Sequence, residues 1–457
     1  MNKTYLAAKV AVICLSVSSW KLFGAGISET PDIILKSHIE THGIQPLKLK
    51  KITNPDKIEL GRLLFFDKIL SGNKDISCAT CHHPILSGGD ARSLPIGTGG
   101  TGLGHTRIKG KTRELIPRNA PEIFNRGMKQ WKTMFWDGRV AVNAVGDFSS
   151  PAKGLLPDNL DNLLAVQALF PPTSRDEMRG QAGDVDVLGE LNELAEFQPA
   201  FKGDTSHLPK IWHGITQRVL EYSEYRTLLK KAYPTTPLDE IGIQHLANAL
   251  AAFEIDGFSF NDAPWDRYVA GDINALSLKE KLGANLFFGK GNCASCHSGP
   301  LFTDQKFYNL AVPQIGPGKN KYHEDLGRYH ETEDVYDLFA FRTPPLRNVE
   351  LTGPWMHNGA YNNLRSIIKH HLIPGISLWY YDSNQLPPLE RSQLHNNYDL
   401  QILMELFISR ELNQIGYLSS KEIDLVVAFL KSLTSESARD LEDLIPVSVP
   451  SDLPVSD

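Results

Sequence analysis

Two short stretches decide the fold of this sequence: Cys78-Ala79-Thr80-Cys81-His82 and Cys293-Ala294-Ser295-Cys296-His297. Both follow the C-x-x-C-H pattern that attaches a c-type haem to a polypeptide. The two thiols can bond the vinyl groups of one haem, and the next residue can offer its imidazole to the iron. We therefore predict two covalently bound haems, with His82 and His297 as iron ligands.

Two other uses of paired cysteines compete with the haem interpretation. A zinc site built from both pairs would leave the two motif histidines without a role. A C-x-x-C redox pair is typical of a βαβ setting, which the flanking sequence lacks. The repeated C-x-x-C-H string favours haem over both alternatives.

The segments that precede the two motifs form an internal repeat. Leu60–Phe66 has the sequence LGRLLFF and Leu282–Phe288 has LGANLFF, so five of the seven positions are identical. Each segment stands a short distance before its C-x-x-C-H string. Two copies of one small α-helical domain are the simplest account of this arrangement.

Helix signals dominate the rest of the chain, whereas alternating strand patterns are scarce. Asn54 before Pro55 predicts a helix start, and Ser277 with Glu280 predicts a capping box. Ser419 and Glu422 have the same spacing as the second pair. We therefore predict a mainly α fold of two cytochrome-c-like domains, each with one covalently bound c-type haem.

The repeat also suggests domain boundaries. We predict an N-terminal haem domain over residues 27–262 and a C-terminal haem domain over residues 263–434, with the hinge at Asn261–Trp265. Residues 435–457 are rich in Asp, Glu, Ser and Pro and are predicted to form a flexible tail.

The first 26 residues have the pattern of a secretory signal peptide. Lys3 and Lys9 flank the start, an apolar run covers Val10–Val17, and small residues follow at 24–26. The run is too short for a membrane helix, although an uncleaved anchor is the alternative. We expect export to the periplasm, no stable membrane insertion and removal of Cys14 with the signal, which leaves no free thiol and no disulfide.

The charge balance excludes one large class of function. The 457 residues include 47 Lys and Arg against 53 Asp and Glu, a net charge of −6. Without a basic excess to neutralise phosphates, we expect no nucleic-acid binding.

Five sequence blocks in a fixed order resemble the bacterial dihaem cytochrome c peroxidases and the related MauG-type enzymes. The likeness extends from about Asn54 to Thr434. In that family the first haem is the peroxide site and the second supplies it with electrons. The blocks are Leu60–Phe66 with Cys78–His82, Pro117–Pro121, Phe135–Arg139, Cys293–His297, and Pro345–Val349 with Leu351–Pro354 and His357.

The resemblance implies three catalytic residues. Gln167 and Glu177 match the distal glutamine and catalytic glutamate of the family, and Trp136 matches its inter-haem tryptophan. Cleavage of peroxide needs a proton moved from one oxygen to the other, which a positioned carboxylate can perform. Without the resemblance, the Thr-Ser-Arg-Asp-Glu context would indicate a solvated loop glutamate, and Trp136 an ordinary packed aromatic residue.

The resemblance also implies one calcium ion between the domains. Asn119, Thr352 and Pro354 match the family's ligands, which are one side-chain oxygen and two backbone carbonyls. Ligation by oxygen alone suits calcium.

The chain departs from the family at two positions. The sixth ligand of the second haem is usually Met or Tyr, whereas this chain has His371, preceded by His370, at the corresponding place. We predict His371 as that ligand and expect a lowered potential, because methionine raises it. His105 is either the displaceable ligand of the first haem or an ordinary loop residue; in the second case the first haem is active without prior reduction.

The predicted reaction is the reduction of hydrogen peroxide to water with electrons from a small c-type cytochrome or similar donor. A MauG-type oxidase that modifies residues of a partner protein is one alternative. A dihaem electron carrier without catalytic activity is the other. The sequence leaves a homodimer open.

Overall fold

A computed structural model describes residues 30–201 and 203–457 of the chain. The predicted signal peptide and Cys14 lie outside these residues. The described part is mainly helical, which confirms the predicted class, and its strands are only two or three residues long. The helices are α1 Thr30–Thr41, α2 Pro55–Phe66, α3 Cys78–Cys81, α4 Leu163–Ala168, α5 Glu193–Glu196, α6 Leu208–Glu221, α7 Ser223–Ala232, α8 Ile243–Gly257, α9 Pro264–Val269, α10 Leu278–Phe288, α11 Tyr329–Thr332, α12 Leu364–Leu372, α13 Pro374–Trp379, α14 Pro388–Arg391, α15 Tyr398–Leu406 and α16 Ser420–Lys431.

Two small antiparallel sheets accompany the helices. Strands β1 Thr133–Met134, β2 Val140–Val142 and β3 Phe148–Ser149 form one sheet in that order, with Met134 opposite Val140. Strands β4 Phe307–Tyr308 and β5 Phe341–Arg342 form the other. Long irregular stretches join these elements, and several of them line the cavities described below.

The predicted helix starts are present. The Asn54 side chain accepts a hydrogen bond from the Lys57 amide and begins α2, with Pro55 as its first residue. Ser277 and Ser419 begin α10 and α16 with the capping boxes that the sequence indicated. These local signals are confirmed because a cap depends on residues only three positions apart.

The internal repeat corresponds to a repeated helix pair. Helix α2 packs closely on α8, and α10 packs closely on α16. A Cβ atom added to Gly61 would lie 1.9 Å from the Ala249 carbonyl oxygen, and one added to Gly283 would lie 2.0 Å from that of Leu425. The glycine shared by both repeats therefore lets the two backbones of each pair approach each other.

Each half has its own aromatic core. Phe65, Phe253 and Phe258 meet edge-on or tilted within the first. Trp265 and Phe429 pack edge-on in the second. The division at residues 262 and 263 stays a prediction, but the presence of separate cores agrees with two haem domains.

The terminal segments cross between the two halves. Leu35 of α1 is fully buried in the core of the second half, and the Tyr268 hydroxyl donates to the Asp32 carboxylate. At the other end, Leu441 and Leu453 are buried in the core of the first half. Both segments therefore pack on the half that is remote from them in sequence.

The prediction of a flexible tail over residues 435–457 is wrong in the structure. Ser451 Oγ donates to Asp67 Oδ1 at 2.6 Å, and Lys68 Nζ lies 2.8 Å from Asp457 Oδ1. The composition suggested solvation, but its few apolar residues are spaced so that they reach the first core. The segment is a C-terminal strap, a name we keep for residues 435–457.

Within the described ranges, no helix combines the length and the apolar character needed to cross a membrane.

Candidate functional site

The first C-x-x-C-H string forms one helical turn at the edge of a cavity. The thiols of Cys78 and Cys81 and the ring of His82 all line this first cavity. His82 Nδ1 lies 3.1 Å from the Gly88 carbonyl oxygen. A carbonyl can only accept, so Nδ1 carries the proton and Nε2 is free to bind a metal. Burial raises the pKa of both thiols, to about 12 for Cys78, which keeps them neutral.

The second string has the same arrangement in a second cavity, and His371 lies opposite it. Nδ1 of His297 lies 3.1 Å from the Phe302 carbonyl oxygen, and Nδ1 of His371 lies 2.8 Å from that of Ile367. The two ring centroids are 6.4 Å apart and the rings are tilted by 56°. Two imidazoles on opposite sides of one metal ion, with bonds of about 2 Å, would have centroids about 6 Å apart.

His370 is held by other partners and does not compete with His371. Its Nδ1 and the Tyr361 hydroxyl are 2.8 Å apart, and its Nε2 lies 2.8 Å from the Leu310 carbonyl oxygen. The side chain is fully buried. Both ring nitrogens are thus occupied, whereas Nε2 of His371 is free.

The two cysteine pairs line different cavities, which argues against a shared zinc site. Among the described residues, no cluster of three or more His, Cys, Asp and Glu could hold a metal ion. Each cavity instead offers two thiols and a motif histidine with a free Nε2, and the second also contains His371. This donor set fits a c-type haem in both places.

Gln167 and Glu177 project into the first cavity from different elements. Gln167 lies near the C-terminal end of α4, and Asn162 caps the N-terminal end of this helix. Glu177 lies in a single π-helical turn, Arg175–Arg179. Such turns often occur at functional sites, because they displace a side chain from its regular position.

The segment that carries Glu177 is fixed by backbone contacts. The Thr98 amide donates to the Glu177 carbonyl oxygen at 2.8 Å. Within residues 30–201 and 203–457, neither Gln167 nor Glu177 uses its side chain in a hydrogen bond, so both polar ends are available to a ligand. The structure therefore brings together the two residues that the resemblance singled out.

A cluster of charged residues surrounds Glu177. Burial raises the pKa of the Glu177 carboxyl, and the cations Arg139 and Lys319 oppose this effect. Both cations contact Asp137, at 2.9 Å for Arg139 and 3.2 Å for Lys319. Although Asp137 is buried, Arg118 and these two cations hold its pKa well below the usual range.

Trp136 forms part of the wall between the two cavities. Its side chain is 8% exposed and lines both of them. The indole Nε1 donates to the Asn119 carbonyl oxygen at 3.0 Å, which fixes the ring. Packing and electron relay are compatible roles at this position.

The three predicted calcium ligands all belong to the lining of the second cavity. Asn119, Thr352 and Pro354 all line it. Asn119 is held by a hydrogen bond from its Nδ2 to the Arg92 carbonyl oxygen at 2.7 Å. That bond orients the side-chain oxygen away from Arg92, as a cation ligand requires.

His105 is exposed in a short 3₁₀ turn, Gly104–Thr106, and does not line the first cavity. The structure therefore places it as an ordinary loop residue. Of the two interpretations that the sequence left open, this arrangement favours the one in which the first site has no second histidine.

Sequence reasoning missed two arginines in the wall between the cavities. Arg126 and Arg342 are buried, and their guanidinium groups lie 4.3 and 5.0 Å from the Trp131 ring centroid. Glu122 accepts from Arg126 at 2.6 Å. Burial lowers the pKa of Arg342 to about 9. Two cations thus face one carboxylate, and this excess of positive charge suits the acidic groups of a haem. In the sequence, only the four-residue spacing of Glu122 and Arg126 indicated their ion pair.

Comparisons with known proteins agree with this geometry. The family profile described as "Di-haem cytochrome c peroxidase" matches residues 55–274. The methylamine utilization protein MauG of Methylorubrum extorquens is 30% identical over 324 residues, 70% of each chain. The cytochrome c551 peroxidase of Nitrosomonas europaea is 27% identical over 405 residues, 89% of this chain and 88% of the relative.

A solved structure shares the fold. A MauG-like protein associated with microbial copper homeostasis superposes with a TM-score of 0.57 at 25% identity, covering 86% of this chain and 95% of the other. The diheme peroxidase BthA of Burkholderia thailandensis, at 20% identity, has a TM-score of 0.54 over 86% and 92% of the two chains. This chain is an oxidoreductase that belongs to the di-haem cytochrome c peroxidase family, which includes the MauG-type proteins.

Proposed function

We propose that the protein reduces hydrogen peroxide to water in the first cavity, and that a small c-type cytochrome or similar one-electron donor supplies electrons through the second. The observation that carries this proposal is the pair Gln167 and Glu177, whose unengaged side chains face the cavity of Cys78–His82. An electron carrier would have no use for an acid and an amide at that position.

The chain's own residues account for the proton chemistry. A haem in the first cavity supplies the iron that binds peroxide and passes it electrons. A carboxylate oxygen of Glu177 takes the proton from the inner peroxide oxygen and returns it to the outer one, so that the outer oxygen leaves as water. The Gln167 amide holds the peroxide in the orientation that this transfer needs.

The first site is available to peroxide without a ligand having to leave. His82 is the only histidine among the described residues that line the first cavity. His105 lies elsewhere, at the surface. We therefore infer that the enzyme reacts without prior reduction of its second haem.

The remaining assignments belong to the same proposal. We assign His297 and His371 as the two ligands of the second haem and Trp136 as the relay between the haems. Asn119, Thr352 and Pro354 are the proposed calcium ligands, residues 27–262 and 263–434 the haem domains, and the periplasm the proposed location.

The test compares Glu177→Gln with Asp176→Asn. Asp176 is the adjacent carboxylate, paired with Arg175 near the surface, and serves as a matched control. With reduced c-type cytochrome and peroxide, E177Q should lose about 10²- to 10⁴-fold of the turnover, the usual contribution of a positioned acid or base. D176N should retain it. Full activity in E177Q would refute the proposal.

The MauG-type alternative is favoured by the 30% identity to MauG and by the absence of the peroxidases' Met at position 371, although the Tyr of the MauG-type enzymes is also absent there. It predicts that peroxide alone produces a long-lived oxidised state of the protein that a cytochrome donor does not discharge. Rapid discharge by the cytochrome, with water as product, would exclude this alternative. If the protein did not react with peroxide at all, the remaining hypothesis would be a dihaem electron carrier without catalytic activity.

A further inference from the structure

Lys319 is the one lysine that lines the first cavity, among the described residues, and it comes from the second half of the chain. Its backbone is at the surface, whereas its side chain is 29% exposed and reaches inward. The ammonium nitrogen lies 3.2 Å from Asp137 Oδ2, across 182 positions of sequence. Lys319 thus extends from a loop into the site that contains Glu177.

The loop that carries Lys319 is closed on itself. The Lys319 amide donates to the Glu324 carbonyl oxygen at 2.9 Å, and Asn320 Oδ1 accepts from the amides of Tyr322 and Glu324 at 2.9 Å each. Gly318 has a φ of +61°, and an added Cβ would lie 2.2 Å from the His323 carbonyl carbon. This turn fixes where the lysine enters the cavity.

Three cations are grouped around the buried carboxylate of Asp137, and the Glu331 carboxylate interacts with the same group. Arg118, Arg139 and Lys319 line the cavity as cations. Only two buried carboxylates contact them: Asp137, which binds all three, and Asp325, which binds Arg118 through both oxygens at 2.6 and 2.8 Å. Glu177 is a further carboxylate that lines the same cavity as these three cations.

Among the charged groups near Glu177, Lys319 is the one whose N–H groups are least engaged by other partners. Asp176 is paired with Arg175, and Glu331 is exposed on α11. Arg118 is paired with Asp137 and Asp325, and Arg139 is paired with Asp137. The ammonium group of Lys319 has one contact, to Asp137, and its other N–H groups can point into the cavity.

We propose that Lys319 is a positioning residue for the proton chemistry of Glu177, because its charge keeps the carboxylate ionised and ready to take the peroxide proton. The inference rests on the proposed function and adds a group from the second half to the peroxide site. Burial raises the pKa of the Glu177 carboxyl, and Arg139 and then Lys319 act in the opposite direction, which agrees with this role.

The experiment measures the ionisation of Glu177 directly in the haem-loaded protein. The infrared band of its protonated carboxyl is identified as the one absent from E177Q and is titrated with pH. Lys319→Met should move the midpoint upward by on the order of one pH unit, since a nearby cation lowers a carboxyl pKa by about that much or more. Lys319→Arg should restore it, and Lys321→Met, an exposed lysine of the same turn outside the cavity, should leave it unchanged.

The acid limb of the rate of reaction with peroxide should move with the infrared midpoint. An unmoved midpoint in K319M would overturn the role of Lys319, whatever the turnover of the variant. Normal turnover of E177Q would instead refute the proposed function, and the infrared titration would still report the coupling between Lys319 and Glu177. We expect K319M to fold, because Asp137 remains paired with Arg118 and Arg139. The absorption spectrum of the attached haems checks that the variant is folded.

Discussion

Replacing Gly61 by alanine should force apart the helix pair that precedes the first haem motif. The added Cβ would lie 1.9 Å from the Ala249 carbonyl oxygen, a backbone atom that cannot rotate away. Over-packing of this kind costs about 3 kcal/mol when the backbone must shift. Alanine recovers about 1 kcal/mol over glycine through its helix propensity, so the net loss is about 2 kcal/mol.

Native-state hydrogen exchange on the haem-loaded protein measures this loss locally, which suits a chain whose halves need not unfold together. A loss of about 2 kcal/mol corresponds to roughly 30-fold faster exchange in α2 and α8, with α10 and α16 little affected. Gly283→Ala should show the opposite distribution, since its Cβ would lie 2.0 Å from the Leu425 carbonyl oxygen.

Gly154→Ala is the matched control, because an added Cβ there meets nothing within 4 Å. Its exchange should remain at the level of the natural sequence. If Gly61→Ala behaved like Gly154→Ala, the close approach of α2 and α8 would be refuted, and with it the structural explanation of the repeat.

Two further predictions concern buried titratable groups. His371→Met should raise the potential of the second haem, because methionine ligation favours the reduced iron; spectroelectrochemistry would show an unchanged potential if His371 were not a ligand. Burial raises the pKa of Glu254 to about 8, against an ordinary value of 4.5, so the folded protein binds this proton more tightly than the unfolded chain. Its contribution to stability is therefore complete below about pH 4.5 and is lost as the pH rises to 8. Glu254→Gln keeps the neutral shape and should flatten this part of the curve in denaturant unfolding of the haem-loaded protein, whereas an unchanged slope would contradict the assignment.

The parts of the fold that sequence predicts are those set by neighbouring residues. The turn at Cys78–Cys81, the Asn54 cap of α2 and the capping boxes at Ser277 and Ser419 each depend on contacts within four positions. The internal repeat also indicated that distant parts of the chain are alike, and Gly61 and Gly283 each allow the close approach of two helices.

The features that could not be predicted from the sequence depend on contacts between residues far apart in the chain. The polar composition of residues 435–457 indicated a solvated tail, yet Leu441 and Leu453 are buried against a core that is formed hundreds of positions earlier. In the same way, nothing near Lys319 in the sequence indicates that its ammonium reaches Asp137. Glu177 needed the family resemblance, since its local sequence is that of a surface loop.

The two halves of the chain complete one another and are not independent modules. Helix α1 belongs in sequence to the first half but is buried in the core of the second, and the C-terminal strap makes the reverse crossing. Lys68 joins the strap through the Ser456 carbonyl oxygen, 388 positions away, and Lys319 joins the first cavity from the other half. Contacts so distant in sequence form only after both halves have been brought together, because loop closure must precede them. The first cavity therefore obtains its full set of charges only in the folded whole chain, and a peroxide site of this composition could not be reproduced by the N-terminal domain alone.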